Sequence, residues 1–208
     1  MRIVLASNNA KKLSEMKALL GALPIELVAQ RELGIAEADE PHITFIENAL
    51  AKARHAAAAA QGAAIADDSG VCVDALGGAP GVISAHYAGF TKVTGEREDV
   101  RRAQDAENNA RLLSELSGKA DRRAFFLSTL VAVRHAEDPQ PLVAVGRWPG
   151  EILAAPRGSA GFGYDPLMFI PELGRTVAEL DAETKNKHSH RARAMVQLIE
   201  QLRSVWRL

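Results

Sequence analysis

Cysteine occurs once in the 208 residues, at position 72. No intrachain disulfide can form, and thiolate zinc and iron–sulfur sites, which need several thiolates, are excluded. An excess of one charge is also missing. Lys plus Arg number 25 against 26 for Asp plus Glu, so the formal net charge is −1. That argues against a globally basic nucleic-acid binder and leaves room only for a local basic site. Long apolar runs are absent. The stretch before Ser7 is too short for a secretory signal, and the alanine-rich run 56–66 is broken by Gln61 and Gly62 and cannot span a bilayer. A cytoplasmic protein with no membrane or nucleic-acid partner is the expectation. Internal repeats and long low-complexity linkers are lacking too.

What is present is an ordinary globular composition, 47% apolar and 25% charged, in a length that suits one domain or one domain in two lobes. Strand and helix patterns alternate. Arg2 to Ala6 reads as a strand. Lys11 to Leu20 reads as a helix with Leu13, Met16, Leu19 and Leu20 on one face, and Ile25 to Ala29 as a second strand. Residues 30–42 form a polar, acidic loop. Thr44 is placed to cap a helix reaching about Gln61, with Ile46, Ala49, Leu50 and Ala53 along one face and Gly62 as its stop. Ala63 to Ala66 is a short buried strand ending at Asp67. Further on, Glu96 to Leu116 has the pattern of a charged, mostly solvent-facing helix. Arg123 to Arg134 and Leu142 to Trp148, separated by "HAEDPQP", resemble a hairpin, so the sheet is expected to be mixed. Ser189 to Leu202 is an amphipathic helix with Met195, Leu198, Ile199 and Leu202 as its stripe. The fold class is α/β.

Four stretches carry chemistry. Ser7-Asn8-Asn9-Ala10-Lys11-Lys12 stands where a strand gives way to a helix. Helix N-termini present unpaired N–H groups and partial positive charge, and the polar side chains and lysines add donors, which makes a phosphate cradle. The glycines of a Walker A loop are missing. An ordinary helix cap beside two solvated lysines explains the motif equally well. The second stretch is "AIADDSGVCVDAL", in which Asp67 and Asp68 follow an apolar strand. Adjacent side chains of an extended chain point to opposite faces, so one of the two should meet a given ligand. Carboxylates at a strand end suit Mg²⁺, although Asp-Ser-Gly is also common turn chemistry. The acidic loop, with Glu37, Asp39 and Glu40, offers a further ligand, although taken alone it reads as a solvated loop.

The third stretch, "GSAGFGYDP" at 158–166, combines three glycines with Phe162 and Tyr164, two rings able to stack on a base or simply to anchor the loop. The fourth is "KNKHSHRARA" at 185–194. Ser189 reads as a helix cap, yet Lys185, Lys187, Arg191 and Arg193 crowd the end where the helix dipole disfavours cations, a conflict that an anionic ligand would remove.

Together "SNNAKK", "TFIENALAKARHAA", "ADDSGVCVDALGGAPGVISAHYAG", "GFGYDP" and "SHR" occur in the order found in the inosine triphosphate pyrophosphatases, and the sequence resembles that family over nearly its whole length. The resemblance implies an elongated mixed sheet flanked by helices, residues 1–208 forming one domain in two lobes with an active-site cleft between them, and a homodimer. It also implies Mg²⁺-dependent hydrolysis of non-canonical purine nucleoside triphosphates (those of inosine, deoxyinosine and xanthosine) to monophosphate and pyrophosphate. Carried over by motif, Ser7, Asn8, Asn9, Ala10, Lys11 and Lys12 hold the triphosphate. Asp68 is the catalytic acceptor and a metal ligand, and Ser69 lies on substrate; Glu40, from the acidic loop and outside these motifs, is assigned as the second metal ligand. Phe162, Gly163, Tyr164, Asp165, Lys185, His190 and Arg191 contact base and phosphate, with Arg191 expected to donate to the purine 6-oxygen. Two other readings share these motifs: a non-catalytic nucleotide sensor, and a pyrophosphatase for modified pyrimidine nucleotides.

Overall fold

A computed structural model describes residues 1–21 and 23–208, apart from the side chains of Ala10 and Lys11. Its seven strands form one mixed sheet in the order β2-β1-β3-β4-β5-β6-β7. They are β1 (Arg2–Leu5), β2 (Glu26–Ala29), β3 (Ala63–Val73), β4 (Arg123–Val133), β5 (Leu142–Ile152), β6 (Met168–Ile170) and β7 (Arg175–Thr176). The β1 strand pairs parallel with β2 and β3, whereas β6 pairs antiparallel with β5 and β7. The α-helices are α1 (Ala10–Leu20), α2 (Phe45–Ala60), α3 (Arg97–Glu115), α4 (Ala182–His188) and α5 (His190–Val205).

The chain divides into two compact units. The first comprises residues 1–68, 128–147 and 186–208, and the second 69–127 and 148–185. In the first, strand alternation sorts the core into two layers. Ile3, Leu5, Ile65, Leu130 and Ala132 pack with Met16 and Leu20 of α1 and with Met195, Leu198 and Leu202 of α5. Val4, Ala6, Ala64, Ala66, Val131 and Val133 face Ala49, Ala53, Ala56 and Ala57 of α2. Alanine fills the α2 stripe, and Ile46, expected to join it, is exposed. Thr44 caps α2 by accepting from the Glu47 N–H. Gly146 of β5 touches the first turn of α5. A Cβ there would lie 1.9 Å from the His190 carbonyl oxygen, so only glycine lets helix and strand meet.

The second unit has its own core, in which Leu112 and Leu116 of α3 pack with Val71, Val73, Phe126, Trp148, Ile152, Tyr164, Leu167 and Met168. Three features depart from the sequence reading. The β3 strand does not stop at Asp67 but runs on through Asp67 and Asp68 to Val73. The α4 helix and the short strands β6 and β7 carry no periodic signal long enough to read. The β5 strand also extends past Trp148 to Ile152.

Candidate active site

In the first unit, β1 ends at Leu5 and the chain turns into α1 through Ser7, Asn8 and Asn9, all half-buried. Asn9 is the helix cap: its carbonyl accepts from the Leu13 N–H at 3.0 Å and its side-chain oxygen from the Lys12 N–H at 3.3 Å. Ser7 Oγ accepts from the Asn9 N–H at 3.2 Å. The buried Asn8 side-chain oxygen has no partner among the described residues. The side chains of Ala10 and Lys11 lie outside the described residues.

Because β3 is extended at Asp67 and Asp68, their carboxylates occupy different surroundings. Asp67 is saturated. Its Oδ1 accepts from Ser128 Oγ at 2.7 Å, and its Oδ2 meets Lys12 Nζ at 2.8 Å and Arg191 Nη2 at 3.2 Å. Burial alone would raise its pKa, but the charges of Lys12 and Arg191 outweigh burial and hold it well below the usual carboxylate range. Asp68 Oδ1 accepts from Lys52 Nζ at 2.8 Å, while its buried Oδ2 has no partner among the described residues. Glu40 Oε2 lies 3.0 Å from the same ammonium. Burial, aided by the Glu40 carboxylate and opposed by Lys52, pushes Asp68 up to about 6. Two residues after Glu40, Asn48 of α2 grips the His42 backbone, accepting from its N–H at 3.0 Å and donating to its carbonyl at 3.1 Å.

Asp68 and Glu40 present only hard oxygen donors, one of them a buried carboxylate oxygen with no partner among the described residues. Among the described residues no group of three or more His, Cys, Asp or Glu side chains is arranged around a metal site. Two carboxylates with the rest of the sphere left to water and phosphate is the donor set that Mg²⁺ takes, so these residues fit that ion.

Arg191 is placed differently from expectation. It is 2% exposed, and its guanidinium binds Asp67 and also Glu15 of α1. The cation at the start of α5 is thus matched by protein carboxylates and needs no anionic ligand to settle the dipole conflict. Ser189 caps the helix by accepting from the Ala192 N–H, and His190 is buried beside it.

In the second unit, Ser69 is half-buried at the strand position after Asp68. The loop 158–165 is built around Asp165, whose Oδ2 accepts from the Phe162 N–H at 3.0 Å and from Lys185 Nζ at 2.9 Å. The Lys185 ammonium also lies 4.8 Å from the centre of the half-buried Phe162 ring. Tyr164 does not present a stacking face. It is 5% exposed, sits in the second core, and donates its hydroxyl to the Ser84 carbonyl at 2.8 Å. It anchors the loop, whereas the half-buried Phe162 ring faces the cations of Lys185 and Arg101.

The model of the Ham1 family matches residues 3–201. This chain belongs to the Ham1 family. It is 68% identical over 206 residues to the dITP/XTP pyrophosphatase of Methylibium petroleiphilum, covering 99% of both chains, and 65% identical to that of Leptothrix cholodnii over the full length of both. Among solved structures, a HAM1 protein from Coxiella burnetii is 43% identical and superposes with a TM-score of 0.87, covering 97% of this chain and 98% of that one.

Sequence reasoning missed Lys52, Glu15, Ser128 and Asn48. Lys52 left a signal. It stands at i+3 from Ala49 and next to Ala53, inside the alanine stripe that faces the sheet, where a lysine without a buried anion would be costly. Asn48 adjoins the same stripe. Ser128 is one hydroxyl in an apolar strand, and Glu15 one acid on a polar helix, so neither stands out.

Proposed function

We propose that this chain hydrolyses non-canonical purine nucleoside triphosphates (ITP, dITP and XTP) to the monophosphate and pyrophosphate. The observation that carries the reading is Asp68: a buried carboxylate with one oxygen unpartnered among the described residues, sharing a lysine with Glu40. Near-full-length identity to proteins named for dITP and XTP supports it.

In this reading the turn 7–9 and Lys12 receive the triphosphate, Lys12 lying on the outer phosphates. Asp68 and Glu40 are the residues that would hold Mg²⁺. Bound there, the ion would neutralise phosphate charge and acidify a water. Asp68, ionised above pH 6 or so in the metal-free protein, takes up a proton as water attacks the α-phosphorus. Pyrophosphate departs. Lys52 holds Asp68 in place and limits the rise in its pKa. Phe162 stacks on the base, with Lys185 withdrawing from its ring face. The 6-oxo group of hypoxanthine or xanthine accepts hydrogen bonds where adenine offers a donor, and buried donors left facing a donor are costly. His190 is the candidate donor there. Arg191 reaches the base only if its ion pairs with Asp67 and Glu15 rearrange. The reading further takes residues 1–208 as one catalytic domain in two lobes with a cleft for substrate, working as a cytoplasmic homodimer.

The test is a panel of purine and pyrimidine nucleoside triphosphates with and without Mg²⁺, with pyrophosphate and orthophosphate both measured. Pyrophosphate from dITP and XTP, dependent on Mg²⁺, is expected. Orthophosphate as the first product would refute the bond assignment. Binding without turnover would leave a sensor.

A further inference from the structure

The α3 helix, which the sequence paints as a solvated surface, carries two polar stripes that hold backbone. On one, Gln104 accepts from the Thr91 N–H at 2.8 Å and donates to the Gly89 carbonyl at 2.7 Å. One turn on, Asn108 accepts from the Ala88 N–H at 2.9 Å and donates to the Ser84 and Ala85 carbonyls. Side-chain amides offer both a donor and an acceptor, so each satisfies two sides of a loop. The second stripe is shifted by one residue. Asp105 Oδ2 accepts from the Gly163 N–H at 2.7 Å, and Asn109 Nδ2 donates to the Gly163 carbonyl at 3.0 Å. Positions four apart lie on one helix face, so the two side chains take hold of a single residue from both ends. Gly163 has φ +61, a left-handed conformation that turns both polar groups toward the helix at little cost to glycine.

The residue gripped in this way adjoins Phe162. Arg101, one turn before Asp105 on the same face, lies 5.3 Å from the Phe162 ring centre. Tyr164 and Asp165 anchor the loop through partners outside α3. The loop therefore has a means of folding without the clamp, and what α3 adds is the placement of the ring.

We infer that Asp105 and Asn109 are positioning residues for nucleobase recognition, acting through Gly163 on Phe162. This rests on the reading above in which Phe162 receives the base. Neither residue touches substrate in it. Their removal should weaken ligands that carry a purine and spare ligands that carry only phosphate.

The experiment uses the full chain with Mg²⁺. It compares KM and kcat for dITP with the inhibition constant of inorganic tripolyphosphate, which has no base, in wild type, Asp105→Ala, Asp105→Asn and Asn109→Ala. For Asp105→Ala, loss of a charge-assisted bond should raise KM for dITP about tenfold, with kcat changed by less than about twofold and tripolyphosphate inhibition unchanged. Asp105→Asn keeps an acceptor and should recover most of the loss. Asn109→Ala should show the same pattern more weakly. An unchanged KM in every variant, or KM and tripolyphosphate inhibition weakening together, overturns the clamp. Should Asp105→Ala melt below the assay temperature, Asp105→Asn and Asn109→Ala decide by the same criterion. A wild type that releases no pyrophosphate from dITP defeats the functional reading itself, and the clamp with it. That result is read before any variant is made.

Discussion

Asp67 and Asp68 are neighbours in one strand, both buried, and they differ in almost everything else. Asp67 has a hydroxyl, an ammonium and a guanidinium on its two oxygens. Asp68 has one ammonium, shares it with Glu40, and keeps an oxygen unpartnered among the described residues. The first is held ionised far below the normal range, and the second is pushed up to about 6. A carboxylate whose every oxygen is matched serves architecture. One left with a buried, unmatched oxygen is kept at a cost that chemistry, a ligand or an ordered water must offset. On this view the charge count around each acid, not its burial, separates scaffold from site.

The comparison breaks most readily at Asp67. Asp67→Ala strands Arg191 and Lys12 beside an apolar methyl, although Glu15 stays on the guanidinium. Removing one partner of a buried ion pair costs about 3–5 kcal/mol, so the unfolding free energy from urea titration should fall by that order. A loss below about 1 kcal/mol, the value of an exposed pair, would show that the network is decoration. Asp68→Asn should do the reverse. It keeps the shape and removes a proton acceptor, so kcat for dITP should fall at least about 100-fold while stability at pH 7.5 holds or rises. Retention of a tenth of wild-type kcat would move the general base elsewhere.

Much of this contrast was legible in the sequence. Alternation along a strand put Asp67 and Asp68 on opposite faces, and the "SNNAKK" turn, the Thr44 and Ser189 caps and the mixed sheet followed from local pattern. The rest depended on partners distant in the chain. Nothing near Arg191 indicates that Glu15, on another helix, will meet its guanidinium, so a cation at a helix start was read as a ligand site. Tyr164 and Phe162 look alike in "GFGYDP", and only the Ser84 carbonyl and the second core show that one ring is structural. The β3 strand appeared to end at Asp67 because two carboxylates argue for a turn, and tertiary ion pairing overrode that preference. Lys52 was the one hidden residue that periodicity alone would have exposed.

A subtler change sharpens the Asp68 side. Lys52→Met removes the cation that Asp68 and Glu40 share and leaves the two carboxylates facing each other. An opposite charge at this distance lowers a carboxylate pKa by about 1–3 units. Without it, the acid limb of the kcat/KM profile for dITP should move up by at least about one pH unit. The measurement is a pH–rate series from 5 to 9 at one Mg²⁺ concentration well below saturation, where the metal-free carboxylate is the form that titrates. An unmoved limb would mean that another group governs the acid limb.

The smallest effect is also the most specific, because the two acids should impose opposite pH slopes on stability. In the folded protein Asp68 binds its proton more tightly than in the unfolded chain, where a carboxylate titrates near pH 3.9 or so. Its contribution is therefore fully present below about pH 4 and is lost as pH rises through about 6. Asp67 is depressed, so its contribution is present above about pH 4 and is lost as pH falls through its lowered folded value. Urea titrations in EDTA, from pH 3.5 to 7, should show Asp68→Asn gaining on wild type as pH rises. Asp67→Asn should trail wild type by a steady margin above about pH 5 and close the gap toward the acid end. EDTA matters here, because a bound divalent ion would itself favour the ionised form of Asp68 and erase its slope. If both variants drift from wild type with the same sign, the two carboxylates share one environment, and the division of β3 into a structural face and a chemical face fails.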